Sequence, residues 1–166
     1  MNAEKSDALT GAYNRQEIFS ILEKWFEEAK GRPRLLALTF VDIDQFKGIN
    51  DQYGHMFGDQ VLKEIAKVLQ FSFSKGCLIC RFGGDEFLIV STGVPKAELV
   101  ERAERARRLI RRIPQRLPAS PPPSLAATIG MSFYPRDGLS PRELLKVADI
   151  ANYRGKNMGG DRIVSD

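Results

Sequence analysis

The chain has 166 residues, the length of one domain, with 43% hydrophobic and 28% charged residues. That balance supports a hydrophobic core without disulfides as staples. The net charge of +4 does not demand a nucleic-acid partner, and no apolar run reaches the roughly 18 residues of a membrane span. Residues 1–10 lack the apolar centre of a signal peptide. We therefore expect a cytoplasmic domain, and any membrane anchor would belong to a longer parent chain.

The apolar pattern alternates helices and strands along the chain. Helical spacing predicts a first helix over residues 14–29, with Asn14 as its N-cap, and the continuous apolar run 34–43 is typical of a strand buried on both faces. The pattern then predicts helices at 44–52 and 57–71, a hairpin of strands 77–82 and 87–91, a basic helix at 96–113, a proline-rich connection at 118–124, a strand at 124–134, a helix at 141–157 and a strand at 162–164. This order predicts an α+β fold with a ferredoxin-like β-α-β-β-α-β core, in which helices pack on one face of an antiparallel sheet.

Two motifs have ordinary interpretations. Cys77 and Cys80 form a C-x-x-C pair, which is typical of a redox site or half of a zinc site. Residues three apart on a strand point to opposite faces, and His55 is the only histidine, so we expect two unreactive thiols. Seven arginines between residues 102 and 116 indicate the solvated face of an amphipathic helix, with an anionic partner surface as the alternative.

Acidic residues stand at two places where strands end or begin. Asp42 and Asp44 end the buried strand, and Asp85 and Glu86 follow the two glycines of the hairpin. A buried strand should not end in carboxylates unless something offsets their charge. The predicted fold brings Asp42 and Asp85 to one edge, where Mg²⁺ and a nucleotide triphosphate would suit in-line attack at phosphorus. Solvated acidic loops are the alternative at this point.

Five short motifs follow one another along the chain. Residues 7–15 read D-A-L-T-G-A-Y-N-R, residues 81–87 read R-F-G-G-D-E-F, and residues 42–51 fit D-x-D-x-F-K-x-x-N-D and are followed by Gly54-His55 and Gly58-Asp59. Together with residues 128–130 and 148–156, which resemble closing motifs, they resemble the GGDEF, or diguanylate cyclase, family, whose opening is D-x-L-T-G-x-x-N-R. The resemblance spans residues 7–164 and implies a single domain over residues 1–166, similar to nucleotidyl cyclase catalytic domains.

The resemblance implies a metal site at the acidic edge. Asp42, Asp85 and the backbone carbonyl of Ile43 would bind Mg²⁺, or Mn²⁺ in its place. Glu86 would be a further acidic group at the metal or the base that takes the proton of the attacking hydroxyl.

The resemblance also implies phosphate contacts. Gly83 and Gly84 would let the backbone approach the phosphates, where any Cβ would obstruct it. Lys47 and Lys156 would stabilise the charge of the triphosphate, and the first N–H groups of the second helix, among them that of Phe46, would form an anion site. For either lysine alone, a solvated surface role is the default.

The guanine base would be read by Asn50 and Asp59. A carboxylate accepts hydrogen bonds from the N1–H and 2-amino groups of guanine, and an amide complements the remaining edge. Without the motif, Asn50 would be a helix-end cap and Asp59 an N-cap. His55 lies between them and either lines the nucleotide pocket or is structural.

By this resemblance, the chain is expected to be a diguanylate cyclase that condenses two GTP molecules into cyclic di-GMP and two pyrophosphates. The family implies a homodimer of half-sites, regulated by an upstream sensor or receiver domain of a longer chain. A weakly active or inactive GTP-binding regulatory module is the alternative. A mixed GMP–AMP product is disfavoured by Asp59.

Three departures from the family pattern bear on activity. Ser74 and Cys77 replace the Arg and Asp of the product-inhibition motif, so we expect no tight feedback inhibition by cyclic di-GMP through that site. Gly160 stands where an arginine often assists phosphate binding. Asn152 and Gly155 replace the usual Leu and Ala of the last helix, which puts a polar group and a flexible residue on a helix that should pack well.

Overall fold

Every predicted helix and strand is present in the computed structural model, which describes residues 5–30 and 34–165, and the observed ends differ from the predicted ones by at most three residues. The helices are α1 (Arg15–Ala29), α2 (Phe46–Tyr53), α3 (His55–Ser72), α4 (Lys96–Ile110) and α5 (Pro141–Asn157). The strands are β1 (Leu36–Ile43), β2 (Cys77–Arg81), β3 (Glu86–Thr92), β4 (Ala127–Tyr134) and β5 (Ile163–Ser165). Among the described residues, no helix is both long and apolar enough to cross a membrane.

The five strands form one sheet in the order β2-β3-β1-β4-β5. β1 pairs antiparallel with β3 and β4, β2 pairs antiparallel with β3, and β5 runs parallel to β4. The first four strands with α3 and α4 reproduce the predicted β-α-β-β-α-β order, so the α+β fold with a ferredoxin-like core is confirmed. Because β1 is the central strand, its C-terminal end lies in the middle of the row of strand ends at one end of the sheet.

Helices cover both faces of the sheet, and the prediction that they pack on one face is wrong. On β1, Ala37 and Val41 pack in a cluster with α2, α3 and α4, whereas Leu38 and Phe40 pack in a second cluster with α1 and α5. Alternate residues of a strand point to opposite faces. A strand that is apolar on both sides needs a cover on both sides, and α1 and α5 supply the second one.

The two cysteines lie on opposite faces of the sheet, as expected. Cys77 belongs to the cluster beneath α3 and α4, and Cys80 to the cluster beneath α1 and α5. Both are free and buried, and burial raises the pKa of Cys80 to about 12. A thiol that resists ionisation is a poor nucleophile and a poor metal ligand, so Cys80 matches the expected unreactive thiol, and both cysteines belong to the core.

The arginines of α4 are only partly a solvated face. Arg102 is 8% exposed and donates to the carbonyl of Lys75 at 2.9 Å. Arg107 and Arg111 bind the carboxylate of Asp161 at 2.6 and 2.9 Å. Arg102 and Arg107 of α4, together with Arg111 directly after it, therefore hold neighbouring loops, and the solvated interpretation holds for the other exposed arginines of the helix.

The last helix packs closely with Asn152 and Gly155 in place of the usual residues. Asn152 is buried, and its Nδ2 donates to the carbonyl of Thr128 at 2.7 Å, so the polar group is satisfied. A Cβ on Gly155 would lie 2.6 Å from Cγ2 of Thr128. Glycine therefore allows α5 to approach β4 more closely than alanine would.

Candidate functional site

The end of β1 and the start of β3 bring the two predicted acidic places together. In the antiparallel register, Asp42 stands directly opposite Glu86, and the Ile43 N–H donates to the carbonyl of Asp85 at 3.2 Å. Directly opposed residues of antiparallel strands project to the same face. Asp42, Asp85 and Glu86 thus form an acidic edge of the sheet, named so below.

Lys156 reaches this acidic edge from α5. Its Nζ lies 2.6 Å from Oδ1 of Asp42, yet this buried oxygen has no partner in regular hydrogen-bond geometry among the described residues. Burial raises the pKa of Asp42, Lys156 opposes the rise, and the charge of Asp85 adds to it. The pKa of Glu86 is raised by burial first and then by the charges of Asp42, Asp85 and Asp149. Negative charge is therefore concentrated here beyond what one lysine offsets.

Glu86→Gln should raise the thermal unfolding midpoint of the nucleotide-free protein by a few degrees near neutral pH. The pKa of Glu86 is raised in the folded state, so the folded protein holds this proton more tightly than the unfolded chain does. The free energy of unfolding therefore falls as pH rises from the unfolded pKa through the raised one. Glutamine removes that loss.

Calorimetry at about pH 4 and about pH 7 tests this charge effect, because Glu86 destabilises the folded protein only at the pH at which its carboxyl group is ionised. The gain should appear at the higher pH and vanish at the lower one. Equal gains at both, or the same gain from Glu101→Gln on the exposed side of α4, would contradict the account.

A cleft of 390 Å³ opens beside the acidic edge, bounded by α2, α3 and the β2–β3 hairpin. Its lining brings together seven of the predicted site residues: Phe46, Lys47, Asn50, His55, Asp59, Gly84 and Asp85. The predicted base-reading and phosphate-binding groups thus share one cavity with a predicted metal ligand.

Neither Asn50 nor Asp59 caps a helix, so both cap interpretations are wrong. Asn50 lies inside α2, Asp59 is the fifth residue of α3, and Gly54 is the N-cap of α3. Asp59 and His55 are exposed, while Asn50 is half-buried. The side chains of Asn50 and Asp59 are therefore not committed to helix ends and line the same cleft.

The start of α2 differs from the prediction by two residues. Gln45 has a left-handed backbone, with φ 54°, so the helix begins at Phe46. The Gln45 side chain does not cap the helix, which leaves its first N–H groups without that acceptor. With Lys47 in the cleft wall, this turn suits an anion.

The backbone conformation does not require glycine at either position of the hairpin, Gly83 or Gly84. Neither has a positive φ. A Cβ on Gly83 would meet only the flexible tip of Glu86, at 2.3 Å, and one on Gly84 would have no described atom within 4 Å. Gly84 lines the cleft, so its lack of a side chain leaves room for a ligand and is not needed for folding.

Arg81 is a cleft residue that the sequence analysis did not single out. Its guanidinium donates to the carbonyl of Gly84 at 2.8 Å and to the carboxylate of Asp7 at 3.3 Å. Asp7 in turn accepts from the N–H and hydroxyl of Thr10. The opening motif thus braces the hairpin turn. The sequence signal for the role of Arg81 was its position directly before the two glycines.

The cleft does not include every predicted site residue. Its lining omits Asp42, Ile43, Gly83, Glu86 and Lys156. Glu86 lines a larger hollow of 850 Å³ on the α1 and α5 side. In residues 5–30 and 34–165, no three His, Cys, Asp or Glu side chains are grouped closely enough to hold a metal ion alone. A metal would need oxygens from backbone, water or substrate as well, as Mg²⁺ commonly does.

Comparison with known proteins shows the family of the chain. The family described as "Diguanylate cyclase, GGDEF domain" matches residues 4–162. The probable diguanylate cyclase DgcC of Escherichia coli K12 is 33% identical over 94% of this chain, and the match covers 42% of DgcC. The chain therefore spans less than half the length of this relative.

Solved structures agree in fold. The GGDEF domain of DgcB from Caulobacter crescentus, in complex with c-di-GMP, is 25% identical with a TM-score of 0.88, over 99% of this chain and 97% of that one. Diguanylate cyclase SiaD from Pseudomonas aeruginosa, in complex with its activator SiaC, is 30% identical with a TM-score of 0.90, over 99% of this chain and 62% of that one. The predicted likeness to nucleotidyl cyclase catalytic domains is confirmed, and the chain belongs to the GGDEF family of diguanylate cyclase domains.

Proposed function

We propose that this chain condenses two GTP molecules into cyclic di-GMP and two pyrophosphates. The observation that carries the proposal is the position of the acidic edge beside a cleft that contains both Asn50 and Asp59. Asp85, one member of the acidic edge, lines the same cleft as Asn50 and Asp59. Relatives named diguanylate cyclases support the same reaction.

In the proposed reaction, the 3′-hydroxyl of one GTP attacks the α-phosphorus of the other. A new O–P bond forms, the bond to the oxygen bridging the α- and β-phosphorus breaks, and pyrophosphate leaves. Two such events close the ring. Glu86 would accept the hydroxyl proton or bind the metal.

The residues of the acidic edge fit a divalent cation. Asp42 offers a buried oxygen that pairs with the ammonium of Lys156, and burial, together with the charges of Asp42 and Asp85, raises the pKa of Glu86. Asp42, Asp85 and the carbonyl of Ile43 would hold Mg²⁺, with Glu86 as a further acidic group. When bound, Mg²⁺ would offset this charge and that of the phosphates and would orient the reacting groups.

Substrate binding would use the cleft. Asp59 would accept the two donors of the guanine edge, and the Asn50 amide would complete the recognition. Lys47 and the first turn of α2 would bind phosphate oxygens, and Lys156 would exchange its contact with Asp42 for one with phosphate. Gly84 would leave room for that approach.

The half-site character of the reaction requires a second copy of the chain. Each copy would bind one GTP in its cleft, and the two acidic edges would face each other. The proposed regulator is a sensor or receiver domain upstream in a longer protein. DgcC, of which this chain spans less than half, leaves room for such a domain.

A weakly active GTP-binding regulatory module is the second candidate, and one observation favours it. Gly160 has φ 72°, and a Cβ there would lie 2.9 Å from Oδ2 of Asp44, so this backbone position is closed to the family's arginine. Arg162 directs its Nε to the carbonyl of Gly160 at 3.0 Å. The triphosphate would then depend on Lys47 and Lys156.

Product analysis separates the two candidates. Concentrated protein is incubated with GTP and Mg²⁺, and the nucleotides are separated by chromatography. Cyclic di-GMP with two pyrophosphates for each ring supports the cyclase. GTP that is bound but unchanged supports the regulatory module.

Asp59→Ser should weaken the use of GTP by about tenfold to a hundredfold and increase the relative use of ATP. Serine cannot accept both guanine donors, and the shorter side chain opens space. A competition assay with both nucleotides measures the preference. Asp51→Ser, in the same cleft wall, should keep the original preference, and an unchanged GTP-to-ATP ratio in Asp59→Ser would rule out the base-reading role.

A further inference from the structure

Gly58 lies directly against the amide of Asn50. A Cβ built on Gly58 would stand 1.9 Å from Oδ1 and 3.0 Å from Cγ of Asn50, and 3.2 Å from Cζ of Phe46. Gly58 is buried on the first turns of α3, whereas Asp59, the next residue, is exposed to the cleft. The Asn50 amide thus occupies the space that any other residue at position 58 would fill.

The backbone around this contact is fixed by a corner between two helices. The Gly54 N–H donates to the carbonyl of Asn50 at 2.9 Å, and the Gly58 N–H donates to the carbonyl of Gly54 at 3.1 Å. Gly54 itself has φ 84° and ψ 160°, and it is at once the C-cap of α2 and the N-cap of α3. Because these bonds hold the adjoining ends of both helices at Gly54, we expect a side chain at position 58 to displace the amide of Asn50 rather than the helices.

We infer that Gly58 is a positioning residue that determines base selectivity by fixing where the Asn50 amide stands relative to Asp59. The inference rests on the proposed function, in which these two side chains read guanine. With a methyl group at position 58, the Oδ1 atom of Asn50 would have to move away by more than an ångström to reach an ordinary contact distance. Hydrogen bonds weaken steeply over such a displacement, so Asn50 would no longer reach the base together with Asp59.

A purely structural role for Gly58 predicts something different. If the glycine only allowed α2 and α3 to pack, Gly58→Ala would lower stability whatever residue occupied position 50. Alanine favours a helix more than glycine does, and the atom in conflict is the tip of a side chain. We therefore expect Gly58→Ala to keep the unfolding midpoint while losing affinity for the guanine nucleotide.

The test measures binding without turnover, by calorimetric titration with the α,β-methylene analogues of GTP and ATP in the presence of Mg²⁺. Gly58→Ala should weaken binding of the GTP analogue by at least about tenfold and narrow its preference over the ATP analogue. Gln60→Ala is the matched control, because this exposed side chain lies two residues further along α3 and is not part of the cleft lining. It should bind both analogues as the wild type does.

A double-mutant cycle identifies the cause. In an Asn50→Ala background, which has no amide to displace, adding Gly58→Ala should change neither the affinity nor the unfolding midpoint. A further loss of affinity in that background would overturn the inference. If Gly58→Ala alone folds poorly, a normally folded Asn50→Ala/Gly58→Ala protein supports the inference, and an equally poorly folded one overturns it.

The outcomes separate this inference from the function on which it rests. A wild-type protein that binds the GTP analogue, together with Gly58→Ala binding it equally well and selectively, would overturn the inference alone. A folded wild-type protein that does not prefer the GTP analogue would overturn the proposed function, and the inference with it.

Discussion

Asp85→Asn is expected to abolish the formation of cyclic di-GMP while leaving the fold intact. Loss of a metal-binding charge should raise the activation free energy by on the order of 4 kcal/mol, about a thousandfold in rate. The fold should survive because the strands are joined here through the backbone, with the Asp85 carbonyl accepting the Ile43 N–H. The charge of Asp85 also raises the pKa of Asp42 and Glu86, so its removal relieves repulsion.

The measurement is the initial rate of cyclic di-GMP formation over a range of Mg²⁺ concentrations, with the unfolding midpoint as the check on folding. Glu101→Gln, a similar loss of one negative charge on the exposed side of α4, should keep the wild-type rate. Near-normal activity of Asp85→Asn with an unchanged Mg²⁺ dependence would show that the metal assignment is wrong.

Gly130→Ala is expected to destabilise the protein by about 3 kcal/mol and to lower its unfolding midpoint by roughly 10 °C. A Cβ on Gly130 would lie 2.0 Å from the carbonyl oxygen of Ala148 and 2.4 Å from the backbone nitrogen of Asn152. Both atoms belong to the backbone of α5, so no rotamer change can relieve the clash. β4 cannot retreat either, because Gly130 pairs with Phe40 on one side and Val164 on the other.

Gly130→Ala should also weaken the candidate site, since α5 carries both Asp149 and Lys156. Thermal and urea unfolding measure the loss of stability, and titration with nucleotide measures the effect on the site. Gly48→Ala should leave the unfolding midpoint unchanged or slightly raised. A Gly130→Ala protein as stable as the wild type would mean that α5 does not pack on β4 as closely as described.

The corner between α2 and α3 shows why helix ends were harder to predict than helices. Periodicity reports which residues are buried, and the first turn of α3 has little to report, because His55 is exposed and Met56 is 83% exposed. The sequence pattern therefore placed the helix start at residue 57, two residues late. The apolar stripe further along α3 was unambiguous, and that part of the helix was predicted correctly.

The sequence of β1 indicated that both faces of the sheet are covered, but the predicted order of helices and strands did not. The continuous apolar run of β1 indicated burial on both faces, which the structure confirms for Leu38 and Val41. The order of elements in the core accounts only for α3 and α4 on one face. Nothing in local periodicity tells which face a helix outside the core covers, so the position of α1 could not be predicted.

The candidate site divides in the same way. Residues within contiguous motifs, such as Asn50 and Asp85, could be proposed from the sequence because their type and spacing carry the signal. The contact between Arg81 and Asp7 joins residues 74 apart in the sequence, and the contact between Lys156 and Asp42 joins α5 to β1, which lie near opposite ends of the chain. Such contacts depend on tertiary packing, which a single sequence does not encode in any local pattern.

The dependence of the rate of cyclic di-GMP formation on protein concentration tests the central claim most directly. The rate is measured by chromatography at saturating GTP and Mg²⁺, and sedimentation reports the fraction of paired chains at each concentration. Two half-sites predict that the rate per chain rises with the paired fraction, with two pyrophosphates released for each cyclic di-GMP. Bound GTP without cyclic di-GMP at any concentration, or a constant rate per chain where all chains are single, would contradict the account.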